Sequence, residues 1–428
     1  MVKNMSMEGD DLEILNEVVG ERNVKYRTYH SYKSSLKSYI EFQNMTFIEL
    51  LKEAKQEQND KIPWYDRTIV KRLVAYRKYL YANFNGNTAS LRLKNIIRLY
   101  TDSKIEFLKL PFFNTKNANY NDPLTFEDLA TLDELKEMMD ISDPIVPAMF
   151  LFMLSSACAK IDMLNVTILN FLEATSQYHG IDIYIECDKD KTKEENRQYR
   201  IKEEKRIITQ IITYLLDEKK DMIPTFRLKR QKTMKYFTAY CSPEAVKAIV
   251  AYLISRKDEL AYNKKLFKIN ERYFDDKFKE ANNKLARFKT REKKRFTSHM
   301  LRKMNASLLY KYNYLDYTEE FKMALEKEQI EALQGRSKGD AIEVAYYKDN
   351  PEILKRLYIK ALPLITVSHE YTKKELDEII DFESEKKANE KTEAIQKELT
   401  EKTKSEKVMK EEINDLKKTQ ELILEKLN

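Results

Sequence analysis

The run RFTSHMLRKMNASLL, residues 295 to 309, combines helical spacing with two chemically useful side chains. On a helical wheel Met300, Leu301, Met304 and Leu308 share one stripe, which predicts a core-facing surface. His299 and Arg302 lie three apart and point the other way. Thr297 and Ser298 are N-cap candidates, so both functional side chains are expected to project from a first turn whose free N–H groups and dipole favour a phosphate. The simplest alternative is a surface helix with an incidental HxxR pair, because so short a pattern arises easily by chance.

Working outward, a chain of 428 residues is long enough for two or three domains. It holds no run of about 18 apolar residues and nothing that reads as a signal peptide, so a soluble, cytoplasmic protein is expected. Cys158, Cys187 and Cys241 are far apart and form no CxxC pair, which excludes a disulfide framework and disfavours a structural zinc. The formal charge is +7. From residue 370 onward 13 Lys face 17 Asp and Glu, a balance of −4, which leaves +11 for residues 1–369. That balance favours a polyanionic partner, most simply nucleic acid, though charge alone gives only non-specific attraction.

Residues 1–27 are polar, with one short apolar patch, and read as a flexible arm. From 28 to 108 the apolar spacing is helical throughout, with a capping box at Thr46 to Glu49 and breaks near Lys61 to Trp64 and Asn85 to Asn87. This predicts a four-helix module whose polar faces carry Lys71, Arg72, Arg77, Lys78, Arg92, Lys94 and Arg98. They are either an ordinary solvated surface or a phosphate-tracking face. Residues 109–123, KLPFFNTKNANYNDP, have two prolines, four asparagines and little periodicity, and read as an interdomain linker.

Residues 124–367 alternate further helices with two extended segments, Ile181 to Cys187 and Thr225 to Thr238. The expected fold is therefore mostly α with a small antiparallel β-sheet, an α+β architecture. SPEA at 242–245 caps another helix. From 368 to 428 the composition turns to Lys and Glu, and Met409, Ile413, Leu416, Gln420, Ile423 and Leu427 are spaced as a heptad seam. A C-terminal helical, coiled-coil tail is the expectation, against a solvated single helix.

The chemistry gathers around the opening helix. Upstream, Lys232 lies in RLKRQKTMKYF, where a hairpin would hold it out from a sheet edge. Downstream, LQGR at 333–336 ends in Arg336, and Tyr346 and Tyr347 follow. Lys, His, Arg, Arg and Tyr are the types needed to cleave a phosphodiester covalently: tyrosine attacks phosphorus, cations stabilise the non-bridging oxygens, and a general acid protonates the leaving 5′ oxygen. Such a set requires no metal and no cofactor.

These segments resemble the tyrosine recombinase (phage integrase) family, especially its divergent archaeal members. SHMLRKMNASLL resembles the family's HxLR helix and LQGR its LGH turn. VAYYKDNP resembles the nucleophile segment, where counting back from Pro351 favours Tyr346 over Tyr347. IPTFRLKRQKT followed by CSPEA resembles the β-hairpin lysine region, with Lys232 the best match. One position departs: the family's first arginine falls in a TGxRxxE pattern, and here the stretch is SACAKID, with Ala159 at the arginine position and Lys160 beside it. A helical neighbour points about 100° away, so Lys160 substitutes only if the turn is remodelled or its stem bends back.

The resemblance implies a helical core-binding domain at 28–108 and a catalytic domain at 124–367. It implies a site-specific recombinase that integrates or excises a mobile element, with Tyr346 forming a 3′-phosphotyrosine. Arg302, Arg336 and Lys160 would bind the scissile phosphate, His299 would assist proton transfer, and Lys232 would be the general acid. The implied partner is double-stranded DNA, in a homo-oligomer, normally a tetramer on two sites, associated with the nucleoid and not with a membrane. Ala159 motivates the alternative, a DNA-binding protein of this fold that has lost its chemistry.

Overall fold

The computed structural model describes residues 9–116, 118–120, 128–140, 142–186, 192–256, 260–284, 297–312, 327–335, 351–369, 371–372, 374–385 and scattered positions from 388 to 409. The chain divides into two compact units, Met1–Pro123 and Leu124–Asn428.

The first unit contains α1 (Gly9–Gly20), α2 (Tyr26–Gln43), α3 (Phe47–Asn59), α4 (Thr68–Asn83) and α5 (Gly86–Asp102). Leu36, Tyr39, Phe47, Leu73, Tyr76, Ile96 and Tyr100 close its core. The buried hydroxyls of Tyr39 and Tyr100 partner each other at 3.2 Å, which lets two phenols sit in an apolar interior. The Thr46–Glu49 capping box forms as expected.

The N-terminal segment differs from the expected arm. Residues 9–20 form α1, which buries Leu15, Val18 and Val19. The Asp11 carboxylate accepts from the Phe47 N–H at 2.8 Å and the Ile48 N–H at 3.3 Å, satisfying donors at the start of α3. The described part of the linker is also docked. Trp64 Nε1 donates to the Lys109 carbonyl at 3.0 Å, and Arg77 donates to that of Pro111 at 2.8 Å. The Gly86 N–H donates to the Asn119 carbonyl at 2.8 Å. A Cβ on Gly86 would lie 2.4 Å from the Tyr120 ring, so glycine lets the strap close.

The basic faces of this unit are thinner than the sequence implies. Arg72 is paired with Glu53 at 2.7 Å, Arg98 with Asp102 at 2.9 Å, and Arg92 lies over the Phe84 ring. Burial lowers the pKa of Arg77, which stacks on Phe113. Lys71, Lys78 and Lys94 are exposed and have no such contact among the described residues.

The second unit runs α6 (Leu132–Asp140), α7 (Ile145–Ser156), α8 (Lys160–Met163), α9 (Ile168–His179), α10 (Lys193–Asp217), β1 (Thr225–Lys229), β2 (Tyr236–Tyr240), α11 (Pro243–Ser255), α12 (Glu271–Lys284), α13 (Met300–Tyr312), α14 (Lys327–Leu333) and α15 (Pro351–Ile365). Almost every residue of α7 is buried, as an all-apolar helix must be, and it packs on α11 and α13. The fold is mostly helical, and β1 and β2 form a two-stranded antiparallel sheet pairing Thr225 with Tyr240 through Lys229 with Tyr236.

Two expectations are revised here. Residues 181–186 carry no strand ladder; half-buried Ile181, Ile183 and Ile185 pack on the core and alternate with exposed residues, the pattern that suggested a strand. Extended backbone becomes a strand only when a neighbour pairs with it. The first turns of the tail belong to this unit. Residues 374–385 are helical, with Leu376 and Ile379 buried and Glu383 inserted beneath α9 and α15. Glu383 accepts from the Tyr178 hydroxyl at 2.5 Å and from Gln177 Nε2 at 3.0 Å, and it pairs with Lys355, both partners of that ion pair being 7% exposed. Of the heptad seam, Met409 is exposed, and the positions from Ile413 to Leu427 lie outside the described residues. No helix among the described residues is long and apolar enough to cross a membrane.

Candidate active site

The α13 helix starts slightly later than its sequence suggests. Its first ladder bond runs from the Lys303 N–H to the His299 carbonyl at 3.1 Å, so His299, rather than Thr297 or Ser298, occupies the capping position. Met300, Leu301 and Met304 are buried and Leu308 is half-buried, as the wheel predicts. His299 is exposed.

Arg302 does not face solvent. It is 2% exposed, and its guanidinium donates to the Ala157 carbonyl at 2.7 Å and to the Gln334 carbonyl at 2.5 Å. The first acceptor follows from the end of α7. Ala157 adopts a left-handed φ of 49° and terminates the helix, leaving the last carbonyls without intrahelical partners. Side chains of α13 supply them: Arg302 takes Ala157, and Asn305 Nδ2 donates to Leu154 at 2.8 Å. A cation at a helix C-terminus is also favoured by the dipole. The helical wheel set Arg302 apart from the apolar stripe, yet the end of α7 and the turn after α14 cover it.

The second acceptor belongs to the LQGR turn. Gly335 has φ +62°, and a Cβ there would stand 2.7 Å from the Phe237 ring of β2, so both backbone and space demand glycine. Arg230, at the end of β1, donates to the Gln334 carbonyl at 3.3 Å and to that of Gly335. The hairpin is therefore tied to the turn that leads into Arg336. On the other side of the hairpin base, the Gln231 N–H donates to Asp162 Oδ1 at 2.8 Å, anchoring it to α8. Lys232 comes next, exposed in a tight turn in which Arg230 and Lys235 bond at 2.8 Å and Met234 takes φ 59°.

Lys160, read as a possible substitute for the missing arginine, is engaged by α12. Its ammonium lies 2.7 Å from Asp275 and 3.4 Å from Glu271, over the Phe274 ring. The structure thus brings together Arg302, the base of the Lys232 hairpin and the start of the LQGR turn, while Lys160 is turned to a pair of carboxylates. Arg336, Tyr346 and Tyr347 lie outside the described residues. Cys158, within the same α7–α8 turn, is fully buried, and burial pushes its thiol up to about 12, so it holds no thiolate at neutral pH. Among the described residues no group of three or more His, Cys, Asp or Glu could hold a metal ion.

No family model matches this chain, and no curated protein matches it. Solved structures do. Recombinases are among them. A XerH site-specific recombinase bound to its difH substrate before cleavage is 12% identical, with a TM-score of 0.41 over 81% of this chain and 83% of that one. A post-cleavage complex of XerH with palindromic difH is 13% identical, with a TM-score of 0.40 over 83% of this chain and 89% of that one. The XerA recombinase is 16% identical, with a TM-score of 0.29 over 82% of this chain and 96% of that one.

Sequence reasoning missed Asp162, Asn305, Gln334 and Arg230. Asp162 stood in plain view at the end of SACAKID, but its acceptor role depends on a backbone N–H 69 residues away. Arg230 was hidden among the four cations of RLKRQK, where composition alone cannot select one.

Proposed function

We propose that this protein is a site-specific DNA recombinase that cleaves duplex DNA through a 3′-phosphotyrosine intermediate. The supporting observation is the convergence on the Gln334 carbonyl of Arg302 and of Arg230 at the base of the Lys232 hairpin. In this reading Arg302 and Arg336 hold the scissile phosphate and stabilise the charge that builds on its non-bridging oxygens. Tyr346 Oη attacks phosphorus while the bond to the 5′ oxygen breaks. Lys232, on a hairpin fastened at two points, protonates that leaving oxygen, and His299 assists proton transfer. None of these steps needs a cofactor. The exposed lysines of the first unit contribute phosphate contacts to the duplex. Strand exchange requires two DNA sites, hence a tetramer on DNA, and the Lys- and Glu-rich tail beyond residue 388 assists self-association.

Nicked suicide duplexes carrying candidate attachment sites test the reading. Wild-type protein is expected to form an SDS-stable adduct and Tyr346→Phe none. An adduct that survives Tyr346→Phe moves the nucleophile to Tyr347. Specific binding with no adduct at any site refutes cleavage and supports the DNA-binding alternative that Ala159 raises. Removing residues 390–428 leaves the docked 374–385 helix intact and isolates the tail's part in assembly.

A further inference from the structure

Two arginines reach one carbonyl. Arg302 and Arg230 both donate to Gln334, from α13 and from the hairpin respectively, which places two guanidinium groups side by side at the turn before Arg336. Like charges at such separation repel, and the repulsion is stronger where water is thin. Arg302 is 2% exposed and Arg230 half-buried. Arg230 has no ion pair among the described residues, and its Nε–H is buried without an acceptor. The carboxylate of Asp162 directs Oδ1 at the Gln231 N–H, and its Oδ2 has no partner among the described residues. Arg230, a cation held on neutral carbonyls with a donor left over, is arranged to receive an anion.

Residue 159 supplies no cation to this turn, and Lys160 is held by Asp275 and Glu271. We propose that Arg230 is a phosphate-binding residue, the second guanidinium of the site beside Arg302, filling the role for which Ala159 offers no charge. The assignment rests on the recombinase reading above. It differs from a purely structural role, in which Arg230 only ties the hairpin to the Gly335 carbonyl. In the phosphate-binding role the side chain holds that carbonyl with one nitrogen and offers the rest of its fork to a backbone phosphate. The hairpin that carries Lys232 then closes on the same phosphate that Arg302 binds.

Arg230→Gln separates the roles, because an amide can still donate to a carbonyl but carries no charge. The readout is the slope of log affinity against log salt for a duplex of fixed sequence. Loss of one phosphate contact lowers that slope by about 0.9. The expected result is this loss in both Arg230→Gln and Arg230→Ala, with Ala159→Arg restoring it when added to Arg230→Gln. An Arg230→Gln protein with the wild-type slope overturns the proposal and leaves Arg230 a structural tie. Wild-type protein that binds no duplex refutes the recombinase reading separately. In that case titration of wild type with inorganic phosphate, followed at the Arg230 Nε–H resonance and independent of how any variant folds, decides the anion site. A saturable shift supports it, and an unmoved resonance overturns it.

Discussion

Arg302→Ala should destabilise the second unit before any question of catalysis arises. The side chain supplies donors to the Ala157 and Gln334 carbonyls at 2.7 and 2.5 Å in a position only 2% exposed. Orphaning the Ala157 carbonyl costs about 1–3 kcal/mol, and the Gln334 carbonyl, which keeps Arg230 at 3.3 Å, adds about 1 kcal/mol for its lost bond, roughly 2–4 kcal/mol in all. Against that, about 2 kcal/mol of side-chain entropy is recovered, and the desolvation of a buried guanidinium disappears. A net loss of about 1–2 kcal/mol is expected. With an m-value of about 3 kcal/mol/M, the urea midpoint falls by roughly 0.5 M. The protein carries its own control: Trp64, its one tryptophan, lies in the first unit, so its fluorescence reports that unit while circular dichroism follows both. The dichroism transition of the second unit should shift with the Trp64 midpoint unchanged. Arg302→Lys, whose single ammonium cannot repeat the fork, should lose about half as much. A second-unit midpoint within experimental error of wild type for Arg302→Ala would mean that the guanidinium does not hold these turns in solution. Loss of DNA cleavage in Arg302→Ala is thus uninformative by itself, and Arg302→Lys is the variant to assay for chemistry.

Two further outcomes follow from buried groups away from the site. Lys355→Met strands the Glu383 carboxylate against Tyr178 and Gln177 and should cost about 3–5 kcal/mol, whereas Lys355→Met with Glu383→Met should lie nearer to wild type. Additive single effects in that double-mutant cycle would refute the coupling. His179 is held neutral: the Ile181 N–H donates to its Nδ1 at 3.0 Å, so Nε2 faces the Leu172 carbonyl as the donor, and burial lowers its pKa. Its contribution is present above the unfolded value of about 6.5 and is lost as pH falls from there through the depressed folded value. Melting temperatures across that window should therefore fall more steeply for wild type than for His179→Gln, and parallel curves would remove His179 as a cause.

Local physics made much of the architecture readable from sequence. Capping boxes, the Ser242–Pro243 helix start and the apolar stripe of Met300, Leu301 and Met304 depend on residues within a turn or two of one another. The β1–β2 hairpin and the glycine at 335 were visible for the same reason, since turn chemistry is written in adjacent residues. The order of Lys232, His299 and Arg302 along the chain was legible in the same way, but not where their side chains go.

What the sequence by itself determined, then, was which segments form helices and hairpin and which side-chain types accompany them. Only tertiary structure decided where the polar groups point. Asp11 caps a helix 36 residues away, Trp64 fastens a strap 45 residues away, and Arg302 meets a carbonyl 145 residues away. Lys160 faces carboxylates 111 and 115 residues downstream rather than the arginine beside its own turn. The physical reason is common to all of them. A backbone repeat fixes the direction of a side chain relative to its own helix, while the partner of a buried charge or carbonyl is whatever the packing of distant elements brings within hydrogen-bonding reach.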